Sequence, residues 1–205
     1  PTLEFFAADG SRCDRPLERT CDMLKAGGIV AVQGIGGFHL ACDATREDVV
    51  EELRRRKKRP HKPLAIMVPD LRTCRQICEV NAGEQDLLNS SQSPIVLLGR
   101  KPGGPVAEGV APKLNHLGVM LPYTPLHVLL FDDPGMPPAL VMTSCNRAEE
   151  PIATEAAAVL GPLSDIVDGV LSHNRRITNR CDDSVVAVFG GRPLPMRRSR
   201  GYVPE

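Results

Sequence analysis

Short apolar runs recur along this 205-residue chain, each of a length that suits one buried strand. Amphipathic helical patterns separate most of these runs, whereas the last part of the chain carries strand-like runs in succession. Alternating strands and helices that give way to consecutive strands predict one α/β domain with a mixed sheet. The strand-like runs are IVAVQ (29–33), FHLAC (38–42), LAIMV (64–68), PIVLLGR (94–100), LGVMLP (117–122), ALVMT (139–143), IVDGVLSH (166–173), SVVAVF (184–189) and PLPMRRS (193–199).

Capping and turn residues divide the chain into an entering arm at 1–13 and a domain at 14–200. Thr45 and Thr154 stand where the N-caps of two helices are expected. No low-complexity linker interrupts the domain, so we expect a single folding unit. No apolar run approaches the ~18 residues of a membrane span, and no membrane partner is expected.

Basic residues are concentrated in three segments, although the net charge is zero. The segment 54–62, RRRKKRPHK, holds seven Lys/Arg and no acid, 175–180 holds three and 192–200 holds four, which makes 14 of the 25 basic residues. A focused positive zone on an otherwise acidic chain indicates a phosphate or polyanion site. Solvated basic faces that bind nothing are the alternative for any one segment.

The cysteine pattern and the aromatic content exclude several classes of site. No CxxC pair occurs, and Cys74 and Cys78 have the spacing of one helical face, so we expect free thiols in a reducing cytoplasm, with no structural zinc and no catalytic cysteine. Two Tyr, five Phe and no Trp are few for a protein that stacks on single-stranded bases. The chain has no GxxxxGK[ST] loop, which excludes a P-loop site.

Two short polar motifs carry groups that suit phosphate. Lys57, Arg59 and Lys62 surround a rigid proline-containing turn, where Lys is a point charge and Arg is a planar fork. A basic helix end that complements its own dipole explains this motif equally well. Ser144 and Asn146 directly follow a predicted strand, where ligands of α/β sheets collect, but an Asx turn or an N-cap is the commoner reason for such a pair.

Six ordered motifs resemble the YrdC family, and within it the YrdC-like domain of the HypF-type hydrogenase maturation carbamoyltransferases. They span about 16–204 and are GIGGFHLACDA, RRKKRPHKPLAIMV, LGVMLPYTPLH, TSCNRAEEPIA, NRCDDSV and RRSRGYVP. The mark of the family is a KxR…SxN set around an ATP-binding cleft. The resemblance implies a YrdC-like α/β fold, which is a twisted, open, mixed sheet with flanking helices and a concave basic cleft.

The resemblance also implies a reaction and the residues that serve it. The reaction is the adenylation by ATP of carbamate, which is generated from carbamoyl phosphate. It gives carbamoyl-AMP and pyrophosphate, with Mg²⁺ on the phosphates. No protein side chains are expected to hold a metal on their own. The implied ligands of phosphate and ribose are Lys57 and Arg59, which would also have catalytic roles, then Lys62, Ser144 and Asn146, and on the far side Ser184 with Arg198 or Arg200.

One stretch departs from the threonylcarbamoyl-AMP synthases of the same family. Those enzymes carry an Arg that pairs with the threonine carboxylate, and Met120 occupies the matching place here. Threonine would lose its counter-charge, so a small substrate without an amino acid part fits better. His39, Tyr123 and His127 are expected to line this smaller pocket, with structural roles as the alternative.

Full-length proteins of the HypF type resemble a series of modules: an acylphosphatase domain, zinc fingers, this domain and a carbamoyl-transfer domain. The resemblance therefore implies that the chain performs one half-reaction of [NiFe]-hydrogenase maturation. Residues 201–205 would be the exit towards the missing C-terminal carbamoyl-transfer domain. That domain would receive carbamoyl-AMP and pass the carbamoyl group to a cysteine of a partner maturation protein. The alternatives are a threonylcarbamoyl-AMP synthase for tRNA modification, a double-stranded RNA-binding module, and a scaffold with an inactive cleft.

Overall fold

One mixed sheet organises the part of the chain that the computed structural model describes, residues 1–148 and 150–203. Its strands are β1 (Leu3–Ala7), β2 (Arg12–Cys13), β3 (Val30–Gln33), β4 (Phe38–Asp43), β5 (Ala65–Met67), β6 (Ile95–Gly99), β7 (His116–Met120), β8 (Leu140–Ser144), β9 (Gly169–His173), β10 (Val185–Phe189) and β11 (Arg192–Arg197). Their spatial order is β11-β10-β6-β7-β5-β8-β4-β3-β9-β1-β2, with parallel and antiparallel pairs. The predicted α/β class with a mixed sheet is confirmed.

Helices flank both faces of this sheet. They are α1 (Pro16–Lys25), α2 (Glu47–Lys57), α3 (Leu71–Ile77), α4 (Ala82–Leu88), α5 (Pro125–Asp132) and α6 (Ala156–Leu160), with a 3-10 helix at Glu108–Val110. Within the described residues, none of them combines the length and the apolar character that crossing a membrane requires.

The two predicted helix caps are wrong. The N-cap positions are Arg46 for α2 and Glu155 for α6, and neither side chain makes a capping hydrogen bond. Thr45 instead donates its backbone N–H and its hydroxyl to Asp43 Oδ1, at 2.8 and 2.7 Å. Such local side-chain bonds compete with helix capping, which is why Thr45 closes the preceding turn.

The segment described above as an entering arm contributes two strands to the sheet. β1 pairs antiparallel with β9, with Phe5 opposite Leu171, and β2 extends that edge. The Phe5 ring is buried over Gly169, where it fills the space that a side chain would need. Residues 1–13 therefore belong to the domain. At the other end, residues 204–205 of the predicted exit lie outside the described residues.

The sheet separates two apolar cores. One contains Leu53 of α2, and the other contains Leu24 of α1 and Leu130 of α5. Successive strand residues alternate between the two cores, as Ala31 and Val32 do, because side chains of a strand point to opposite faces. On the second face, the neighbouring strands β10, β6, β7, β5 and β8 retain partly exposed residues. This uncovered area positions the site described next.

Candidate functional site

A cleft of about 680 Å³ opens over the uncovered part of the sheet. The apolar floor of this cleft is a row of residues in register on five neighbouring strands: Val185, Ile95, Leu97, Gly118, Ala65 and Met142. The floor is lowest in the middle of the row, because Gly118 has no side chain and Ala65 has only a methyl group. A Cβ on Gly118 would come 2.9 Å from Ile95 Cγ2, so even a methyl group would crowd the floor. This surface suits a planar apolar ring.

Cationic side chains dominate the rim of the cleft. In the described residues, the rim carries the cations Lys57, Lys58, Arg59, Lys62, Arg147 and Arg197 and the carboxylates Glu150, Asp182 and Asp183. Lys58 has a φ of 51°, and this left-handed turn ends α2 and leads the following residues to the rim. Excess positive charge in a cleft with apolar walls raises the local potential. The cleft therefore favours a ligand with several negative charges.

Lys57 is the most buried cation of the rim, with an exposure of 5%. Its Nζ donates to the backbone oxygen of Ser144 at 2.6 Å and to the backbone oxygen and Oδ1 of Asn146, both at 2.8 Å. Burial and then the neighbouring charge of Arg59 lower the pKa of Lys57 to about 8. Three acceptors match the three ammonium protons. The structure thus places Lys57 at the cleft, where it fixes the turn that follows β8.

Arg59 retains unused donor capacity. One terminal nitrogen donates to the Pro63 backbone oxygen at 3.3 Å, and the other lies 3.5 Å from Thr143 Oγ1. The buried Nε has no partner in the described part of the chain. Burial, and then the charges of Arg54 and Arg197, lower the pKa of Arg59. A buried N–H without an acceptor is costly, so Arg59 is poised to receive an anion.

Ser144 and Asn146 lie on a turn that the protein's own hydrogen bonds hold in place. Ser144 Oγ donates to Asn146 Oδ1 at 2.9 Å, and Asn146 Nδ2 donates to the Glu150 backbone oxygen at 2.7 Å. Both residues line the cleft beside Lys57, as predicted. Cys145 between them is fully buried, and burial raises the pKa of its thiol to about 12. A protonated, buried thiol is a poor nucleophile.

The structure corrects the predicted far side of the site. Ser184 is fully buried, and its hydroxyl donates to the Arg200 backbone oxygen at 3.0 Å and accepts from the Ser199 N–H at 2.7 Å. It therefore holds the C-terminal loop and does not face the cleft. Arg198 lies outside the cleft lining, and Arg197 lines the cleft in its place. Arg197 is the last residue of β11 and Arg198 follows outside the strand, and the sequence does not reveal which of the two lines the cleft.

Arg200 belongs to a buried cluster together with the three residues predicted for the small-substrate pocket. At its centre, Asp183 accepts from His39 Nε2 at 2.7 Å, from Arg200 Nη2 at 3.0 Å and from the Tyr123 hydroxyl at 3.5 Å. The Arg200 guanidinium lies 3.8 Å from the Tyr123 ring centre, and His127 meets that ring edge-on with centroids 4.6 Å apart. We call these five residues the Asp183 cluster.

The Asp183 cluster stands behind one end wall of the cleft. The wall is the segment 181–184, whose backbone bonds the turn at Gly36 (3.1 Å) and the start of β6 at Ile95 (2.8 Å). Asp183 is the member of the cluster that lines the cleft. Burial opposes its ionisation, but His39 and Arg200 outweigh burial, and the pKa of Asp183 lies below its ordinary value. The predicted pocket residues are thus brought together, with Asp183 between them and the open space.

Met120 does not line the cleft in the described structure. Its side chain is fully buried in the core cluster that includes Leu126 and Leu130 of α5. Gly118 lies two residues earlier on the same face of β7 and forms part of the floor. The expectation that Met120 faces the substrate is therefore corrected, because its side chain lies within that apolar core.

Several residues of the cleft escaped the sequence reasoning. Gly118 sits inside a strand pattern, and a glycine there often marks the close approach of another group, which is the signal that could have identified it. Asp183 lies within the motif NRCDDSV, but its burial is not visible in a sequence. Arg197 carries no signal that separates it from Arg198.

The cysteines and acidic residues of the structure form no evident metal centre. Within residues 1–148 and 150–203, no three His, Cys, Asp or Glu side chains are arranged to hold a metal ion. All seven cysteines are free thiols. Asp182 is an exposed carboxylate at the cleft rim. It is the kind of single ligand that Mg²⁺ accepts when phosphate oxygens and waters supply the others.

Comparisons with known proteins agree with this geometry. The family model of the Sua5, YciO and YrdC proteins, described as "Telomere recombination", matches residues 22–199. Carbamoyltransferase HypF2 of Cupriavidus necator is 46% identical over 93% of this chain, and carbamoyltransferase HypF of Synechocystis sp. is 44% identical over 99%. The chain spans only 26% and 27% of these two proteins, about a quarter of each.

A solved structure of a HypF protein shares the fold. The crystal structure of full-length HypF in the phosphate- and nucleotide-bound form superposes with a TM-score of 0.93 and 45% identity, over 99% of this chain and 26% of that chain. The chain therefore belongs to the Sua5/YciO/YrdC family and matches the YrdC-like domain of the HypF carbamoyltransferases, as its motifs predicted.

Proposed function

We propose that this domain binds ATP in the cleft and uses it to adenylate carbamate, which yields carbamoyl-AMP and pyrophosphate. The observation that carries the proposal is the combination of a low apolar floor with a cationic rim in one cleft of about 680 Å³. A nucleotide needs both, a surface for its base and counter-charges for its phosphates. The nucleotide bound to the related HypF crystal structure supports this assignment.

The arrangement of the lining suggests how ATP would lie. The adenine ring would rest on Ala65 and Gly118, where the floor is lowest. The phosphates would extend along Arg59, Lys62 and the other rim cations, because charge-assisted bonds from Arg and Lys are the strongest contacts available to them. Ser144 and Asn146 would contact the α-phosphate and ribose from the turn that Lys57 holds.

Mg²⁺ fits this site through the phosphates of ATP. Asp182 is the carboxylate that would hold it, and the cation would neutralise part of the charge that develops on the leaving pyrophosphate. The chemistry itself requires few protein groups. A carbamate oxygen forms a bond to the α-phosphorus while the bond from that phosphorus to the β-bridging oxygen breaks. The role of the protein is alignment and stabilisation of spread negative charge.

The end wall favours a small substrate. A carbamate has one anionic group, which is the nucleophile and is drawn to the rim cations. N-carboxylated threonine would bring its α-carboxylate as a second anionic group, and the wall at 181–184 carries the exposed carboxylate of Asp182 where that group would lie. Repulsion between close like charges in a partly desolvated cleft disfavours that substrate. This reason replaces the one that rested on Met120.

Pyrophosphate release tests the proposed function. The chain is incubated with ATP, Mg²⁺ and freshly dissolved carbamate, and in parallel with ATP, threonine and bicarbonate. We expect turnover with carbamate and only background with threonine, with ATP alone as the blank. Equal turnover with threonine would replace the proposal by a threonylcarbamoyl-AMP synthase. Absence of ATP binding, combined with salt-dependent binding of double-stranded RNA, would replace it by an RNA-binding module.

The onward steps belong to the longer proteins. We propose that a flanking domain receives carbamoyl-AMP and transfers the carbamoyl group to a cysteine of a hydrogenase maturation partner. The support is the name carbamoyltransferase of relatives that are about four times as long as the matched region. Adding the remaining domains of such a protein in trans should consume carbamoyl-AMP that the isolated chain accumulates.

A further inference from the structure

Arg54 is a buried arginine whose donors all point at backbone carbonyls. It lies on the inner side of α2, with an exposure of 8%. Nη1 donates to the carbonyl oxygens of Arg59 (2.7 Å), Pro60 (3.2 Å) and Lys62 (3.2 Å). Nε and Nη2 donate to two carbonyls of the 3-10 helix, Gly109 at 2.6 Å and Val110 at 3.3 Å. One side chain thus joins the segment 59–62 to the 3-10 helix.

This arginine has no ion pair with any residue from 1–148 or 150–203, which is unusual for a buried guanidinium. Burial lowers the pKa of Arg54, and Glu47 only partly opposes this. Arg56, two residues later on α2, pairs with Glu52 at 2.6 Å and Asp168 at 2.8 Å. An unpaired buried charge costs free energy, so the five carbonyl bonds of Arg54 must compensate for its desolvation.

The segment that Arg54 holds lies between α2 and β5, outside regular secondary structure. Residues 59–62 follow the left-handed turn at Lys58 and have no helix or strand structure. Arg54 draws three of their carbonyls inward. Lys62 is left exposed, and it lines the cleft together with the side chain of Arg59.

The 3-10 helix provides a fixed anchor for this arrangement. Glu47, at the start of α2, accepts a hydrogen bond from the Gly109 N–H at 2.8 Å. Arg54, near the other end of α2, donates to the Gly109 carbonyl oxygen. A Cβ on Gly109 would lie 2.4 Å from Glu47 Oε1, so only glycine allows this contact. The helix and the 3-10 segment therefore form one rigid support beneath the basic segment.

We propose that Arg54 is a positioning residue for the triphosphate of ATP: it presents Arg59 and Lys62 to the β- and γ-phosphates without touching the nucleotide. This inference rests on the proposed ATP site. It predicts a selective defect, because the α-phosphate and ribose contacts come from the separate turn at Ser144 and Asn146. Loss of Arg54 should therefore lower the affinity for ATP and leave the affinity for AMP almost unchanged.

Calorimetric titration of ATP and AMP into wild type, Arg54→Met and Arg54→Lys tests the assignment. Arg56→Met is the matched control, since it also removes a partly buried arginine from α2. We expect ATP to bind roughly tenfold to a hundredfold more weakly to Arg54→Met, the size of one or two lost charge-assisted contacts. AMP affinity should stay within about twofold. Arg54→Lys should be intermediate, because an ammonium reaches fewer carbonyls.

Each outcome separates the inference from the proposed function. If wild type binds neither nucleotide, the ATP site itself is refuted. If wild type binds ATP and Arg54→Met binds it equally well, Arg54 has no positioning role. Equal losses of ATP and AMP affinity, in a variant with a normal unfolding transition, would show that Arg54 supports the whole cleft and does not position the triphosphate selectively. Should Arg54→Met not fold, Arg54→Lys decides by the same ratio of ATP to AMP affinity.

Discussion

The basic segment 54–62 and the C-terminal segment 192–200 are similar in composition and differ in what their cations do. In the first segment, Arg54 and Lys57 bond backbone carbonyls, and Arg59 is left with an unpartnered N–H at the cleft. In the second, Arg200 is fully engaged by Asp183 and by the Gln92 and Ser93 carbonyls, at 3.1 and 2.8 Å.

The difference shows that positive charge alone does not define a phosphate site. A cation is available to a ligand when the fold leaves it without acceptors, and it is unavailable when backbone carbonyls or a buried carboxylate already hold it. The basic segment contains cations of both kinds, and their roles follow from their partners. The following predictions would break this comparison or sharpen it.

The largest expected effect is on stability and concerns the Asp183 cluster. Asp183→Ala leaves Arg200 buried without its carboxylate, which should lower the free energy of unfolding by about 3–5 kcal/mol, measured by urea denaturation. Asp182→Ala, which removes the exposed neighbouring carboxylate, is the control and should change stability little. A loss below about 1 kcal/mol for Asp183→Ala would show that the cluster is not a structural ion pair.

The same cluster predicts an acid limb of stability. The pKa of Asp183 is lowered in the folded state, so its stabilisation is complete above the ordinary carboxyl pKa of about 4 and is lost as pH falls below it. Urea midpoints of wild type should therefore fall between about pH 4 and pH 2 more steeply than those of Asp183→Ala. Parallel curves would contradict the assignment.

The second effect is on ATP affinity and concerns Arg59. Arg59→Ala should lower ATP affinity roughly tenfold to a hundredfold, because it removes a guanidinium that has an unpartnered N–H at the cleft. Arg55→Ala removes an exposed arginine that pairs with Glu52 and should leave ATP affinity unchanged. Calorimetry on the two variants measures the contrast, and equal affinities would remove Arg59 from the site.

A third effect follows from the low pKa of Lys57. Below about pH 8 the ammonium is charged and holds the turn that carries Ser144 and Asn146. Above it the charge and one donated proton are lost, so ATP affinity should fall about tenfold between pH 7 and pH 9. Lys57→Met has no such proton to lose, and its weaker affinity should vary little over that range. If the ATP affinities of wild type and variant fell by the same factor, the pH dependence would belong to another group.

The smallest effect separates two neighbouring arginines. Arg197→Ala should weaken ATP by about fivefold, as expected for an exposed cation at the rim, and Arg198→Ala should leave affinity unchanged. Arg197 Nε donates to the Asp183 backbone oxygen at 2.9 Å and Arg198 Nη2 to the Tyr202 backbone oxygen at 3.2 Å, so each variant should lose at most about 1 kcal/mol of stability. Titration at low salt gives the clearest contrast, because screening reduces exposed interactions. The opposite ranking would restore the original assignment of Arg198.

The sequence allowed prediction of the elements and of several residues that line one side of the cleft, for identifiable reasons. Apolar runs such as IVAVQ and ALVMT read clearly because buried strands need continuous apolar residues. Lys57, Arg59 and Ser144 could be identified because each belongs to a short local motif. Arg200 and Met120 were misplaced because their surroundings come from distant parts of the chain, and Arg54 was invisible because carbonyl acceptors leave no trace in a sequence.

The wall at 181–184 also has a consequence for the order of folding. The bond between His39 and Asp183 joins residues 144 positions apart, and closing so long a loop carries a large entropic cost that local helices do not bear. During synthesis the floor strands β5 to β8 leave the ribosome well before this wall. The cleft should thus become competent for nucleotide only at the end of folding, and ATP added to refolding chains should slow unfolding without speeding the early phases.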